Sequence, residues 1–171
     1  MLEKYKTVYE GGEGEIVEKK SRFIATVRPV QTEEEALAFI EEMKKKYWDA
    51  RHNYFGGVLL GTGGLVRAYS KSLQEGLSAS TVIEKTYGIS MEVITDYTGI
   101  GKIQYIAGEQ KLPILDSEYT DRVVLHLLVP SDQIGSVEKA ITEGTNGRAK
   151  MKKEKDLYYA MIDGEVKVFE D

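Results

Sequence analysis

The stretch "ISMEVITDYTGIGKIQYIAGEQ" (residues 89–110) contains a strand followed directly by a helix. Residues 89–97 alternate between apolar and polar side chains, which is the period of a half-buried strand. From Thr98 onward the apolar residues follow helical spacing instead. Those expected to face inward are Ile100, Ile103, Ile106 and Ala107. The change of period predicts a β-α unit at the start of a domain.

The residues that follow extend this unit into a recognisable order. "LPILDSEYT" and "DRVVLHLLVP" predict two strands. Ser131 is expected to cap a helix that ends at Gly144, with Ile134, Val137 and Ile141 facing inward. "AKMKKEKDLYYAMI" predicts another strand, and Asp163-Gly164 predicts a hairpin turn before a short last strand. The order β-α-β-β-α-β is the ferredoxin-like split βαβ motif.

The N-terminal half predicts a second set of strands and helices. Residues 5–10 and 15–30 are expected to be strands joined by a turn over residues 10–15. Residues 33–47 predict an amphipathic helix because Thr32 and Glu35 have the spacing of a capping box. Its inward-facing residues are expected to be Ala36, Ile40, Met43 and Tyr47, with Leu37 beside them.

A second N-terminal helix is predicted over residues 63–78. Its apolar stripe would consist of Leu65, Tyr69, Leu73 and Leu77. Its polar stripe would consist of Arg67, Lys71, Gln74 and Ser78. Residues 81–88 are expected to link two domains, so the chain divides into residues 1–80 and a ferredoxin-like domain over residues 89–171. The predicted fold class is α+β.

The glycine-rich segment "RHNYFGGVLLGTGGLVRAYSKS" (residues 51–72) invites a nucleotide-binding interpretation. The P-loop pattern fails because Thr62 stands where its lysine is required. The dinucleotide pattern fails because its last glycine falls on Val66. An anion site remains, in which Thr62 and Gly63 begin the helix and Arg67 and Lys71 follow on its surface. We favour the alternative that these glycines permit a tight turn and close packing.

Composition excludes several classes of function. The apolar content is 42% and the formal net charge is −5, which is ordinary for a globular protein but unlike a generic nucleic-acid binder. Residues 1–80 are neutral overall, and the acidic excess lies in residues 81–171. The absence of cysteine excludes disulfides, thiolate catalysis and cysteine-based zinc sites, and fits the cytoplasm. We expect no membrane span.

The remaining polar residues give weak signals. His52 and His126 are expected to be a loop or strand-edge residue and a partly buried or sheet-surface residue, so neither predicts a metal site. Lys150, Lys152 and Lys153 form a basic strip that either contacts RNA phosphates or protects an edge strand from aggregation. We find no catalytic constellation, expect no cofactor, and lean against an enzyme.

Several segments resemble one family in order along the chain. "YFGGVLLGTGGLVRAYSKS" resembles the glycine-rich signature of the YigZ/IMPACT family. "KKSRFIATVRPVQTEEEALAFIEEMKKKYWDARHN" is similar to its N-terminal section, and "VITDYTGIGKIQYI" and "DSEYTDRVVLHLLVP" to the second domain of its bacterial members. The resemblance implies a ribosomal protein S5 domain 2-like N-terminal domain, incomplete here, and a ferredoxin-like domain similar to one of a translocation elongation factor.

The resemblance also implies that a segment is missing. In family members the "HN" of Arg51-His52-Asn53 is followed by several dozen residues, whereas here Asn53 is followed directly by Tyr54. The missing residues would contribute two strands to the sheet of the first domain. A segment lost from the recorded sequence, a shortened chain and a naturally short protein all remain open as origins.

Three functions follow as expectations. The resemblance implies a translation-associated regulatory protein that binds RNA, the ribosome or a ribosome-associated partner. Its candidate contacts are Arg51, His52, Thr62, Gly63, Arg67, Lys71, Lys150, Lys152 and Lys153. The alternatives are an enzyme or small-anion binder with its polar residues in the missing segment, and a module that binds only proteins.

Overall fold

The computed structural model describes residues 3–18, 20–50, 53 and 64–169, with the backbone alone for residues 64–66. It has the predicted α+β class and divides into two units. The C-terminal unit comprises Met1–Lys6 with Ile83–Asp171, and the N-terminal unit comprises Thr7–Val82. The two-unit α+β prediction is therefore confirmed.

The C-terminal unit contains the predicted β-α-β-β-α-β order. Its elements are β4 (Thr81–Thr95), α3 (Ile100–Glu109), β5 (Ile114–Tyr119), β6 (Val123–Pro130), α4 (Ile134–Gly144), β7 (Lys150–Ile162) and β8 (Glu165–Phe169). The described strands lie in the order β5-β6-β4-β7-β8, and each neighbouring pair is antiparallel. Strand β1 (Lys4–Glu10) also pairs with β4. The strands β5, β6, β4 and β7, in this order, therefore have the ferredoxin-like arrangement.

One face of this sheet carries the core of the C-terminal unit. Alternate residues of β4 and β6, including Met91, Val93 and Leu125, are completely buried. They pack against Ile103 and its neighbours on α3 and against Val137 and Ile141 on α4. Complete burial of such a side chain stabilises the fold by about 1.5–3 kcal/mol. The inward faces predicted for both helices are confirmed.

The end of the sheet near β8 has a core of its own. Leu128, Leu157 and Tyr159 are buried together, with the β8 residues Val166 and Val168 packed beside them. The turn before β8 has positive φ at both central positions, 51° at Asp163 and 84° at Gly164. These angles fit the type I′ hairpin turn that the Asp-Gly pair predicts.

Two details of the C-terminal unit differ from expectation. Residues 81–88, predicted as a linker, belong to the 15-residue strand β4, in which Ile83 and Lys85 are buried at alternate positions. The hydrocarbon stem of a lysine packs like an apolar side chain, and the Lys85 ammonium lies 4.1 Å from the ring centre of Phe169. Ser131 does not cap α4, because residues 131–133 form a 3₁₀ turn that precedes the helix.

The N-terminal unit has a hairpin and two helices. Its described elements beyond β1 are β2 (Gly12–Glu18), β3 (Ser21–Val27), α1 (Glu33–Lys46) and α2 (Gly64–Ser78). The hairpin strands form a separate two-stranded sheet among the described residues. The turn predicted over residues 10–15 is shorter than expected because β2 already begins at Gly12. The single strand predicted over residues 15–30 was wrong, because those residues belong to the two paired strands β2 and β3.

Helix α1 begins as the capping box predicts. The Thr32 hydroxyl accepts a hydrogen bond from the Glu35 amide at 3.2 Å. The Glu35 carboxylate accepts one from the amide of Gln31, one residue before the cap. Of the inward positions only Met43 is fully buried, and Leu37, expected beside them, is 55% exposed.

The face that α2 buries is not the predicted apolar stripe. Ala68, Ser72 and Gly76 are its buried residues, whereas Leu77 is 38% exposed. A methyl group on Gly14 of β2 would collide with the backbone of Gly76. The helix approaches the hairpin too closely for large side chains, so small residues occupy the contact. The side chain of Leu65 lies outside the described residues.

Candidate functional site

The exposed face of α2 carries two of the predicted contact residues. Arg67 and Lys71 are one helical turn apart and both are exposed, as are Gln74 and Ser78 on the same side. No carboxylate among the described residues lies within ion-pair distance of either cation. We call Arg67 and Lys71 the α2 cation pair.

The other basic residues of the N-terminal unit are mostly neutralised. Arg22 and Glu15 are joined at 2.8 Å, and Arg28 and Glu42 at 2.7 Å. Lys44 pairs with Glu41 on α1, and Lys46 pairs with Glu13 on β2. The hydrogen bonds from these cations lower the pKa of each carboxyl. Like Lys20 and Lys45, and unlike these four cations, the α2 cation pair has no carboxylate within ion-pair distance among the described residues, so its charge is available.

Four predicted site residues lie outside the described residues: Arg51, His52, Thr62 and Gly63. The proposed anion site at the start of α2 depends on two of them. The α2 cation pair is therefore the part of that prediction that the structure describes.

The three lysines of β7 that were predicted as contacts do not form a single basic strip. Lys150 and Lys152 pair with Ile94 and Glu92 of β4 and share their side of the sheet. Lys153 lies on the other side, and its ammonium is 3.1 Å from the Glu138 carboxylate on α4. The alternation of a strand separates the charges that the sequence places side by side.

A polar network occupies the sheet face opposite the helices. Glu154 Oε2 accepts a hydrogen bond from the Ser90 hydroxyl at 2.6 Å and lies 3.3 Å from Nδ1 of His126. The bond from Ser90, followed by that with His126, lowers the pKa of Glu154 against the opposing effect of burial. Because the hydroxyl binds the carboxylate and not the imidazole, the trio lacks the nucleophile–base contact of a serine hydrolase.

This network was only partly foreseen. His126 is the sheet-surface histidine that the alternation of β6 predicts. Its partners stand 36 residues before it and 28 after it, at Ser90 and Glu154, so no local spacing could reveal them. The strand order is the signal that joins them, because β6 and β7 both pair with β4.

Asp96, which follows the end of β4, has a structural role. Its Oδ1 accepts hydrogen bonds from the amides of Thr98 and Gly99, just before α3. Oδ2 lies 3.4 Å from the guanidinium of Arg148. These partners, the Thr98 hydroxyl first, lower the pKa of Asp96. The carboxylate satisfies amides at the start of the helix and complements its dipole.

Comparison with known proteins agrees with this division of the chain. The Impact N-terminal domain matches residues 19–54, and a domain of unknown function, DUF1949, matches residues 93–148. The IMPACT family member YvyE of Bacillus subtilis is 33% identical to this chain, and the match covers 93% of the chain and 94% of YvyE. The chain belongs to the IMPACT family. The family resemblance found in the sequence is confirmed.

More distant family members match over a shorter part of the chain. YigZ of Escherichia coli is 24% identical, over 75% of this chain and 87% of YigZ. An IMPACT family member of Haemophilus influenzae is also 24% identical, over 76% of this chain and 87% of that protein.

The matches also bear on the segment expected after Asn53. The Impact N-terminal domain match ends at residue 54, where the resemblance locates the join. The match to YvyE extends over 206 positions, more than the 171 residues of this chain. YvyE therefore has residues within the matched region that this chain lacks.

None of the helices in the described part of the chain is long and apolar enough to cross a bilayer.

Proposed function

We propose that this protein is a regulatory binding protein of the translation apparatus, and that it contacts RNA through the exposed face of α2. Membership of the IMPACT family supports the translation-related role. The observation that carries the RNA contact is the α2 cation pair, Arg67 and Lys71, which is exposed and lacks a carboxylate partner among the described residues. A cytoplasmic location is part of the proposal.

The electrostatics set a modest expectation for affinity. The chain has a net charge of −5, so its long-range field repels phosphate. Two cations one turn apart can each neutralise a phosphate and release counterions. Binding should therefore be weak and strongly salt-dependent, with a slope of log K against log salt of about −1 to −2 from this surface.

The test measures the affinity of the full chain for a fluorescently labelled structured RNA at several salt concentrations. We expect Arg67→Gln with Lys71→Gln to weaken binding and to reduce the salt slope by about one to two. The matched control is Lys102→Gln with Lys139→Gln, which removes the same charge from exposed positions on α3 and α4. Equal binding by the α2 variant and the wild type would contradict the proposal.

A second experiment distinguishes RNA from a protein partner. The tagged chain is used to capture ribosomal components from a cell lysate, with and without nuclease treatment. Loss of capture after nuclease supports the RNA contact. Capture that survives nuclease and the Arg67 and Lys71 substitutions would instead favour a protein-only module, for which the acidic C-terminal half is the better surface.

A further inference from the structure

Two rows of the sheet face opposite α3 and α4 have an ordered distribution of charge, beside Glu154 of β7, whose carboxylate is held by Ser90 and His126. In one row across the strands, the register aligns Lys152, Glu92, His126 and Asp116. In the next row it aligns Lys150, Ile94, Val124 and Glu118. Both rows begin with a lysine on β7 and end with a carboxylate on β5. We call these eight residues the polarised face.

The residues at the two ends of the polarised face are accessible. Lys150 and Lys152 are exposed on β7, and Asp116 and Glu118 are exposed on β5. Neither lysine has a carboxylate within ion-pair distance among the described residues. The helices of this unit pack on the other side of the sheet. The ends of the face therefore present opposite charges that are about 15 Å apart, three strand spacings.

The polarised face is complementary to a copy of itself in one orientation. The four strands lie in the order β5-β6-β4-β7. Consider a two-fold axis that lies between the two copies, runs parallel to the strands and is centred between β6 and β4. This axis places β5 of one copy opposite β7 of the other, and β6 opposite β4. Each row then faces the same row of the other copy. An axis across the strands would bring lysines against lysines, and like charges in apposition cost several kcal/mol.

In the first orientation every position of the two rows meets a suitable partner. Lys152 faces Asp116 of the other copy, and Lys150 faces Glu118. Glu92 faces His126, whose Nδ1 also lies 3.3 Å from Glu154 Oε2 of its own chain. Ile94 packs against Val124, which is half-buried like its partner. Each contact occurs twice, as an isologous interface requires.

We infer that the polarised face binds a second copy of this chain, with the two sheets face to face and the strands aligned. Aligned sheet packing places the two faces about 10 Å apart, within reach of lysine and glutamate side chains from both sides. The face is small, roughly 15 Å across, so the buried area falls at the lower end of specific interfaces. The dimer is therefore weak, concentration-dependent and sensitive to salt.

The experiment is sedimentation velocity of the full chain from about 10 μM to about 1 mM at low salt, the range in which weak interfaces associate. Variant A carries Lys150→Glu with Lys152→Glu, and variant B carries Asp116→Lys with Glu118→Lys. We expect each variant alone to weaken self-association at least about tenfold, because like charges then face each other. An equimolar mixture of A and B should restore association, since each end of A then faces an end of B of opposite charge.

The control variant carries Lys102→Glu with Lys139→Glu, which changes the net charge as variant A does but on α3 and α4. It should associate like the wild type. A wild type that stays monomeric over the whole range, a variant A that associates like the control, or a mixture that remains monomeric would overturn the inference. If variant A fails to fold, a chain with all four substitutions of A and B serves instead, and it should self-associate like the wild type.

Discussion

The two units of this chain bury their side chains to different extents. In the C-terminal unit the sheet and the helix α3 contain residues with no exposed surface, such as Met91, Leu125 and Ile103. In the described part of the N-terminal unit the sheet has two strands, and Met43 is the one fully buried residue of α1. A two-stranded hairpin is marginal by itself in water. A helix that packs on so small a sheet can bury only part of its apolar side chains.

The two units also differ in how their family matches lie along the chain. The DUF1949 match covers residues 93–148 of the C-terminal unit, whereas the match of the Impact N-terminal domain ends at residue 54. Large exposed apolar side chains occur in both units, but the two most exposed, Trp48 at 82% and Val17 at 66%, lie in the N-terminal unit.

The largest expected effect comes from truncating a leucine in each unit. Leu125→Ala removes a completely buried side chain of β6 and should lower the free energy of unfolding of the C-terminal unit by about 2–5 kcal/mol. The same substitution at Leu37 on α1 should change that of the N-terminal unit by less than about 0.5 kcal/mol. Urea titrations followed by amide NMR assign each loss to its unit. Equal losses would refute the contrast in burial.

The next effect tests the close contact within the N-terminal unit. Gly14→Ala places a methyl group against the backbone of Gly76, and we expect a loss of about 1–3 kcal/mol confined to the N-terminal unit. Gly101→Ala on α3 is the matched control, because its methyl group meets no atom within 4 Å. The control should be neutral or slightly stabilising. A tolerated Gly14→Ala would show that α2 can move away from the hairpin.

A smaller effect concerns the pH dependence of the C-terminal unit. The Ser90 and His126 contacts lower the folded pKa of Glu154, so this carboxylate contributes stability above its ordinary pKa of 4.5. That contribution is lost as the pH falls below 4.5 through the lowered folded pKa. Glu154→Gln should therefore show a shallower loss of stability between neutral and acidic pH than the wild type.

The control for Glu154 is Glu109→Gln, an exposed residue of α3 without an ion pair among the described residues. Thermal unfolding over a pH series measures both variants. Parallel profiles for Glu154→Gln and the wild type would mean that the network with Ser90 contributes nothing to the pH dependence.

The smallest effect is expected from the surface ion pairs of the N-terminal unit. Arg28 is joined to Glu42 and lies 4.5 Å from the ring centre of Phe39, but both charged groups are exposed. Arg28→Gln should shift the urea midpoint slightly at low salt and less at high salt, because exposed pairs are screened. A large shift that persists at high salt would contradict this expectation, because it would show that the pair contributes substantially to the stability of the N-terminal unit.

Sequence periodicity predicted the core of the C-terminal unit well. The alternation of β4 and β6 and the helical spacing of α3 all point toward one core. The prediction from periodicity was wrong for α2, where the buried face consists of Ala68, Ser72 and Gly76. Hydrophobic spacing favours large residues, but here the distance between the helix and the hairpin selects small ones.

The surfaces were harder to predict than the core. The three candidate lysines of β7 are neighbours in sequence, yet the strand turns Lys153 toward Glu138 and leaves Lys150 and Lys152 on the opposite side. The Ser90–Glu154–His126 network joins three strands, so it depends on strand order and not on local spacing. Side-chain contacts between different strands can be predicted only when the strand order and register are known.

Native-state hydrogen exchange of the full chain tests the central contrast most directly, because it measures opening free energies within each unit separately. We predict the slowest exchange in β4, β6 and α3 of the C-terminal unit, and much faster exchange in the β2–β3 hairpin and α1. Protection of the hairpin equal to that of β6 would contradict the account, because it would show that the N-terminal unit is as stable as the complete ferredoxin-like unit.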